Sequence, residues 1–133
     1  MSQIKVGSLV PALTLPPVSR HTLALYCGAS GDHNPIHVDS DFARKAGMPD
    51  VFAHGMLSMA YLGRMLTDWQ PQMKLRTFTT RFTALTQVHD VITCTGKVVE
   101  ILEEQGVQLV RLEIAATTAT GTQTLIGEAM VAL

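Results

Sequence analysis

Residues 53–66 read Ala53-His54-Gly55-Met56-Leu57-Ser58-Met59-Ala60-Tyr61-Leu62-Gly63-Arg64-Met65-Leu66, and almost every helical turn position among them is apolar. A helix that is apolar nearly all round belongs inside a fold, and this one is too short for the roughly 20 residues that a bilayer span requires. Gly55, Ser58, Ala60 and Gly63 would let a sheet approach its surface closely. The stretch therefore predicts a central helix that some other element must wrap.

The residues that follow supply the wrapper. Residues 75–85 alternate Leu75, Thr77, Thr79 and Arg81 against Arg76, Phe78, Thr80 and Phe82, rich in the β-branched and aromatic types that suit a pleated surface. Two further β-rich runs, 91–101 and 107–117, are joined by Glu103-Glu104-Gln105-Gly106, and a fourth spans 122–133 after the turn at Thr120-Gly121. Gln105-Gly106, with Val110, Leu112 and Ile114 alternating against Leu109, Arg111 and Glu113, points to an antiparallel meander. Neither the helix nor the sheet can hide its apolar surface alone, so each must bury the other. The expected architecture is α+β: a single hot-dog fold over residues 1–133, a curved antiparallel sheet wrapped around a long central helix.

Upstream, Leu13, Leu15 and Val18 make a short extended entry ended by Pro16-Pro17. Ser19 can cap a helix with Leu23, Tyr26 and Cys27 on one face, which stops at Gly28 and Gly31. A second short helix runs from about Ser40 to Ala46, where Gly47 and Pro49 terminate it.

Composition removes several function classes. Ten basic and eleven acidic residues, a net charge of −1, are scattered along the 133 residues, leaving no patch for nucleic acid and no charged tail. The opening Met-Ser-Gln-Ile-Lys-Val-Gly lacks the apolar core of a signal peptide, and no run is long enough for a membrane span. Cys27 and Cys94 fall in different elements and fit free thiols in a reducing compartment, so the cytoplasm is the expected location.

Between the first two helices lies Ser30-Gly31-Asp32-His33-Asn34-Pro35-Ile36-His37. Pro35 prevents Asp32 and His37 from stacking along a helix, so the spacing suits two side chains converging on one small molecule. A carboxylate and an imidazole that share a water can take a proton from it and return one later. Seventeen positions after His37, His54-Gly55-Met56 opens the apolar helix, and a glycine there can aim its N–H at an oxyanion. Acid, base and oxyanion donor together indicate an enzyme acting next to a carbonyl. Asn34 reads as a brace for the loop, His54 and Cys27 as structural, and His21, His33 and His89 as surface residues. His33, His37 and Asp39 could offer metal ligands, but Pro35 disrupts their alignment and no further cluster completes a four-ligand set, so no metal is expected.

Residues 26–66, from Tyr26-Cys27-Gly28-Ala29-Ser30-Gly31-Asp32-His33-Asn34-Pro35-Ile36-His37-Val38-Asp39 to Phe52-Ala53-His54-Gly55-Met56-Leu57, closely resemble the signature of MaoC-like dehydratases, the (R)-specific enoyl-CoA hydratases and related 3-hydroxyacyl-ACP dehydratases. A looser similarity extends to Val6-Gly7 and to Arg81-Phe82. The resemblance implies a hot-dog fold, dimers whose sheets join edge to edge, and a catalytic water held by Asp32 and His37. It implies Gly55 as the oxyanion donor, Asn34 as loop support, and reversible hydration of trans-2-enoyl thioesters to (R)-3-hydroxyacyl thioesters without a cofactor. The substrate would be an acyl-CoA or acyl-ACP, its chain lying along the central helix beside Met56, Met59 and Tyr61. A homodimer, or an assembly of dimers, follows both from the resemblance and from the sheet edges of a chain that is 47% apolar. Leu85-Thr86-Gln87-Val88-His89-Asp90 departs from the family's Pro-Val and Gly-Asp pattern, which bears on the pocket rim. A hot-dog thioesterase and a non-catalytic acyl-binding subunit of a heteromeric dehydratase are the alternatives; the Asp-x-Asn-Pro-x-His loop disfavours the first, and the presence of both Asp32 and His37 disfavours the second.

Overall fold

The computed structural model describes residues 3–133; Met1 and Ser2, the start of the stretch read for a leader, lie outside the described residues. Five strands, β1 (Leu9–Thr14), β2 (Leu75–Phe82), β3 (Ile92–Glu104), β4 (Val107–Thr118) and β5 (Gln123–Ala132), form one antiparallel sheet in the order β1-β3-β4-β5-β2. Three helices, α1 (Arg20–Ser30), α2 (Ser40–Lys45) and α3 (Gly55–Trp69), and two short 3-10 turns at Pro35–His37 and Gln72–Lys74 complete the chain. The sheet packs against α3, which is the hot-dog arrangement expected from the sequence.

The β3–β4 hairpin is closed by the two residues that the sequence marks for it. Gln105 and Gly106 both take positive φ, 50° and 78°, between the paired Glu104 and Val107, and this left-handed pair matches the twist of the flanking strands. Along β4 the alternation holds: Val110, Leu112, Ile114 and Ala116 are buried. Arg111 turns outward and bridges Glu100 on β3 and Glu128 on β5, at 2.8 and 3.0 Å.

The simple meander does not hold for β2. This strand precedes β3 in the chain yet pairs only with β5, at the far edge of the sheet. Residues 83–91 carry the chain back past α3: Ala53 donates its amide to the Thr86 carbonyl, and Phe52 and Gln87 form an isolated bridge. At the β2–β5 pairing, a Cβ on Gly127 would run into the Thr79 carbonyl and come within 2.9 Å of the Thr80 Cα, so only glycine lets the two strands close.

Leu57, Leu62, Met65 and Leu66 of α3 are buried against Val98, Val110, Leu112, Leu125 and Val131. Two small residues of α3 do admit the sheet, since the ring of Phe78 approaches Gly63 and that of Phe82 approaches Gly55. The helix is not buried all round, however. Met56, Ala60, Arg64, Thr67 and Asp68 are exposed, Met56 by 54%, because a single sheet covers one side of a helix and α1 and α2 do not reach the rest.

Two boundaries also differ from expectation. The first strand is Leu9–Thr14, and the extended path continues past Pro16-Pro17, with the amides of Leu15 and Val18 bonded to the carbonyls of Ile92 and Asp90. Prolines at an edge lose no bond that the sheet needs. Gly28 lies inside α1; Gly31 alone stops the helix, at φ 76° with its amide on the Cys27 carbonyl. Cys27 and Cys94 are both buried free thiols, Cys94 pushed up to about 11 by burial. Among the described residues no helix is long and apolar enough to cross a membrane.

Candidate active site

The left-handed turn at Gly31 ends α1 and delivers Asp32 to the surface. Asp32 Oδ1 accepts the amide of Asn34 at 3.2 Å, and Asn34 Oδ1 accepts the amide of Ile36 at 3.1 Å. These consecutive side-chain turns, with Pro35 opening the 3-10 turn, force the chain round so that His37 points inward, only 9% exposed. Asn34 thus occupies the bracing position and leaves Asp32 Oδ2 available.

His37 Nδ1 lies 2.7 Å from the Phe52 carbonyl. A carbonyl only accepts, so Nδ1 carries the proton and Nε2 keeps its lone pair. Phe52 also lays its ring edge-on to His37, centroids 5.2 Å apart. The segment that carries Phe52 is fixed by Asp50, whose carboxylate accepts from Arg20 at the start of α1, Ser40 at the start of α2 and the amide of Val51. Arg20, followed by the Val51 amide and Ser40, holds the Asp50 carboxyl well below the usual carboxylate range.

Beneath His37 lies His54, a residue the sequence reading set aside as structural. Its ring stacks on that of His37 with centroids 3.8 Å apart and planes 25° from parallel, and Tyr26 meets its edge at 4.8 Å. His54 Nε2 is 3.2 Å from the Asp32 carbonyl and 3.4 Å from Cys27 Sγ, so this imidazole donates from Nε2 to the main chain of Asp32. Its Nδ1 is buried with no partner. Burial, then the neighbouring His37, lowers the His54 pKa against the opposing pull of Asp32, and the ring is neutral. Burial followed by the Asp32 charge raises the Tyr26 phenol and the Cys27 thiol, so neither is a ready nucleophile.

Side-chain atoms of Asp32, His37 and His54 all lie within 4.8 Å of one another. The set does not fit a metal: the two rings stack 25° from parallel, so the lone pairs on their free nitrogens run side by side instead of meeting at a point. The set weighed from the sequence is not brought together as ligands either, since Asp39 caps α2 by accepting from Asp41 and Phe42, and His33 is exposed.

The end of α3 supplies the third component. Ser19, Asn34 and Asp39 cap the other helical starts in this region with side-chain oxygens, but His54 makes no such bond at the start of α3. The Leu57 amide is taken by the His54 carbonyl at 3.1 Å, and the amides of Gly55 and Met56 ahead of it have no partner within the helix, so this end presents open donors and the positive end of a 15-residue dipole next to Asp32 and His37. Gly55 is exposed, and a Cβ on it would lie 2.9 Å from two ring carbons of Phe82. Met56 is exposed one residue on, while Met59 and Tyr61 are half-buried against the core. The helical turn puts Tyr61 about 140° round from Met56 and about 160° from Met59, so the three do not line one wall.

The model of the MaoC like domain matches residues 10–121. This chain belongs to the MaoC-like family. An (R)-specific enoyl-CoA hydratase from Rhodospirillum rubrum is 29% identical over 116 residues, 86% of this MaoC-like chain and 78% of that protein. The fatty acid synthase subunit beta of Saccharomyces cerevisiae is 33% identical over 67 residues, half of this chain, which spans only 3% of that subunit. The unliganded R-hydratase of Pseudomonas aeruginosa superposes with a TM-score of 0.85 at 27% identity, covering 96% of this chain and 81% of that one.

The neutral His54 makes stability depend on pH. The groups facing it are Asp32, His37, Cys27 and Tyr26. In the unfolded chain His54 titrates near 6.5 and in the folded chain below that, so under this pH the unfolded state binds the extra proton. Its contribution is fully present above the unfolded value and is lost as pH falls toward the folded one. Melting temperature should therefore drop as pH falls below about 6.5, less steeply in His54→Gln, which cannot titrate. Identical slopes in calorimetry of the two proteins would show that His54 is not the linked group.

Proposed function

We propose that this chain is a hydro-lyase that reversibly hydrates trans-2-enoyl thioesters to (R)-3-hydroxyacyl thioesters in fatty-acid or related acyl metabolism, with CoA or acyl carrier protein as the carrier. The observation that carries the reading is the uncapped start of α3 beside Asp32 and His37, whose Nδ1 is engaged by the Phe52 carbonyl. Water held between Asp32 Oδ2 and His37 Nε2 loses a proton to the pair as its oxygen bonds to C3. The electrons of the double bond move onto the thioester oxygen, where the Gly55 N–H and the helix dipole stabilise the enolate. The proton then returns to C2, so one water has been added and the pair is restored. Asp32 and His37 act on that water as one unit, neither being base or acid alone. The thioester supplies the acidity at C2, and the mechanism uses no cofactor.

The resemblance to the Rhodospirillum (R)-specific enoyl-CoA hydratase and the Pseudomonas R-hydratase supports this assignment. Met56 and Met59, on neighbouring faces of α3, flank the acyl path, and Tyr61 lies across the helix from them. One domain in the cytoplasm, consistent with its buried free thiols, is the arrangement proposed for residues 1–133. The free edge of β2, with Phe82, Leu85 and Met56 exposed beside it, suits a second copy pairing edge to edge. A homodimer, alone or as a building block of a larger assembly, should sediment as such at micromolar concentration; a stable monomer would count against it.

Crotonyl-CoA separates hydration from thioester hydrolysis: enoyl absorbance should fall with no release of free thiol. Asp32→Asn and His37→Gln should each abolish this at unchanged melting temperature, and the double variant should be scarcely worse than either, because both act on one water. Near-full activity in either single variant would refute the mechanism.

The Gly55 donor is tested where Phe82 no longer interferes. In a Phe82→Ala background, Gly55→Ala retains the N–H and should keep most of the activity of Phe82→Ala, while Gly55→Pro should lose about 10²-fold or more. Proline is tolerated at a first helical position, and His54 already has the extended ψ of 133° that precedes a proline comfortably. Equal losses from alanine and proline would assign the glycine to packing alone.

A further inference from the structure

We propose that His54 is a positioning residue for the hydration described above, holding the main chain of Asp32 through its Nε2–H and supporting the ring of His37 from beneath. The inference rests on that reading of the function and adds a residue to it. It begins from the cost of the group. His54 is 2% exposed and its Nδ1 has no partner, an arrangement that burial makes unfavourable. A phenylalanine would fill a similar space without stranding a nitrogen, so packing alone does not account for an imidazole here.

The other nitrogen does something no apolar ring can. The carboxylate of Asp32 is tied through Oδ1 to the Asn34 amide, a bond that sets the side chain against the loop that follows it. Its peptide carbonyl is tied to His54 Nε2, a bond that fixes the same loop relative to α3, 22 residues on. Asp32 itself is exposed, directly after a left-handed glycine, so this bond joins the acid to the helix end that carries the oxyanion donor. The stacked face serves the base. One bond from Nδ1 to the Phe52 carbonyl selects the tautomer of His37 but leaves its ring free to tilt about that bond. His54 at 3.8 Å on one side and the edge of Phe52 at 5.2 Å restrict the tilt and so aim Nε2. A His54 that stays neutral also lets His37 accept a proton with no second cation stacked against it. Asp32, His37, Cys27 and Tyr26 are the titratable groups that face it.

Two amides separate the roles of the two nitrogens. In His54→Gln the amide nitrogen falls where Nε2 was, and in His54→Asn it falls where Nδ1 was; His54→Phe keeps a flat ring and no donor. With crotonyl-CoA, the glutamine variant should keep kcat within about tenfold of the parent, and asparagine and phenylalanine should each lose about 10²-fold in kcat with KM little changed, the scale of a small misplacement of reacting groups. The imidazole ¹⁵N shifts of His37, read without substrate, report the stacked face: they should stay near the parent's in the phenylalanine variant, which keeps a flat ring, and move in the two amides, which do not. Activity that follows melting temperature, a phenylalanine variant as good as glutamine, a glutamine variant as poor as asparagine, or His37 shifts unchanged in all three would overturn the proposal. A parent protein that does not hydrate crotonyl-CoA or longer enoyl thioesters would instead remove the functional reading, and the His37 shifts would still decide whether His54 positions the ring.

Discussion

The hydrogen bond from His37 Nδ1 to the Phe52 carbonyl, 2.7 Å long, is the interaction on which the candidate site depends, because it decides which nitrogen of His37 is left for the proposed chemistry. A tautomer is only as well defined as the carbonyl that selects it. Phe52 is therefore held from both sides: the carboxylate of Asp50 gathers the starts of α1 and α2 and the Val51 amide, and the Thr86 carbonyl takes the amide of Ala53. Neither Asp50 nor Thr86 belongs to the proposed machinery. Both act on it by fixing a stretch of backbone about four residues long between α2 and α3.

Packing and chemistry pull in opposite directions at the start of α3. Its inner face carries the core, and a helix so deeply engaged would gain from a side-chain cap of the kind that Ser19 and Asp39 provide elsewhere, worth about 1 kcal/mol. The position holds His54 instead, which turns its donor toward Asp32 and leaves the helix end open. Gly55 adds conformational freedom that a helix would otherwise exclude, and Phe82 lies where any Cβ would be. Two departures from the most stable choice, a histidine in place of a capping side chain and a glycine after it, fall on consecutive residues of one helix end, where the proposed reaction puts an oxyanion.

How much of this could be read from the residues depends on whether side chains or backbone carry it. Period and β-branching marked α3 and the long strands, and Gln105-Gly106 marked the hairpin, because each is a local property. The place of β2 was not legible: its alternation says that it is a strand, but only the absence of a side chain at Gly127 and the return path of residues 83–91 put it beside β5. Likewise the apolar surround of α3 could not reveal which face one sheet would leave uncovered. At the site, Asp32, His37 and Gly55 stood out by type and spacing. Phe52 did not, since it acts through its carbonyl and any residue has one. His54, adjacent to the helix glycine, reads as structural, and a histidine directly before an uncapped helix is the signal in the sequence for the positioning role proposed for it.

The stretch Leu85–Asp90, where the chain leaves the family pattern, shows why such a departure is compatible with an intact site. Its links to Phe52 and its neighbours are made by main chain: the Thr86 carbonyl to Ala53, Gln87 bridged to Phe52, and the amide of His89 to the Val18 carbonyl at 2.7 Å, while the Thr86 hydroxyl meets that of Ser58 on α3 at 3.5 Å. The turn itself is closed by Asp90, whose carboxylate accepts the Gln87 amide at 2.8 Å, with His89 in the left-handed region at φ 76°. A carboxylate here stabilises the bend that a glycine would otherwise permit, at the cost of some backbone strain in His89. What the substitutions do change is the exterior, where Leu85 is 49% exposed close to the open edge of β2. Backbone bonds transmit position irrespective of residue identity, so this segment can vary at the rim while Phe52, and with it the lone pair of His37, stays in place.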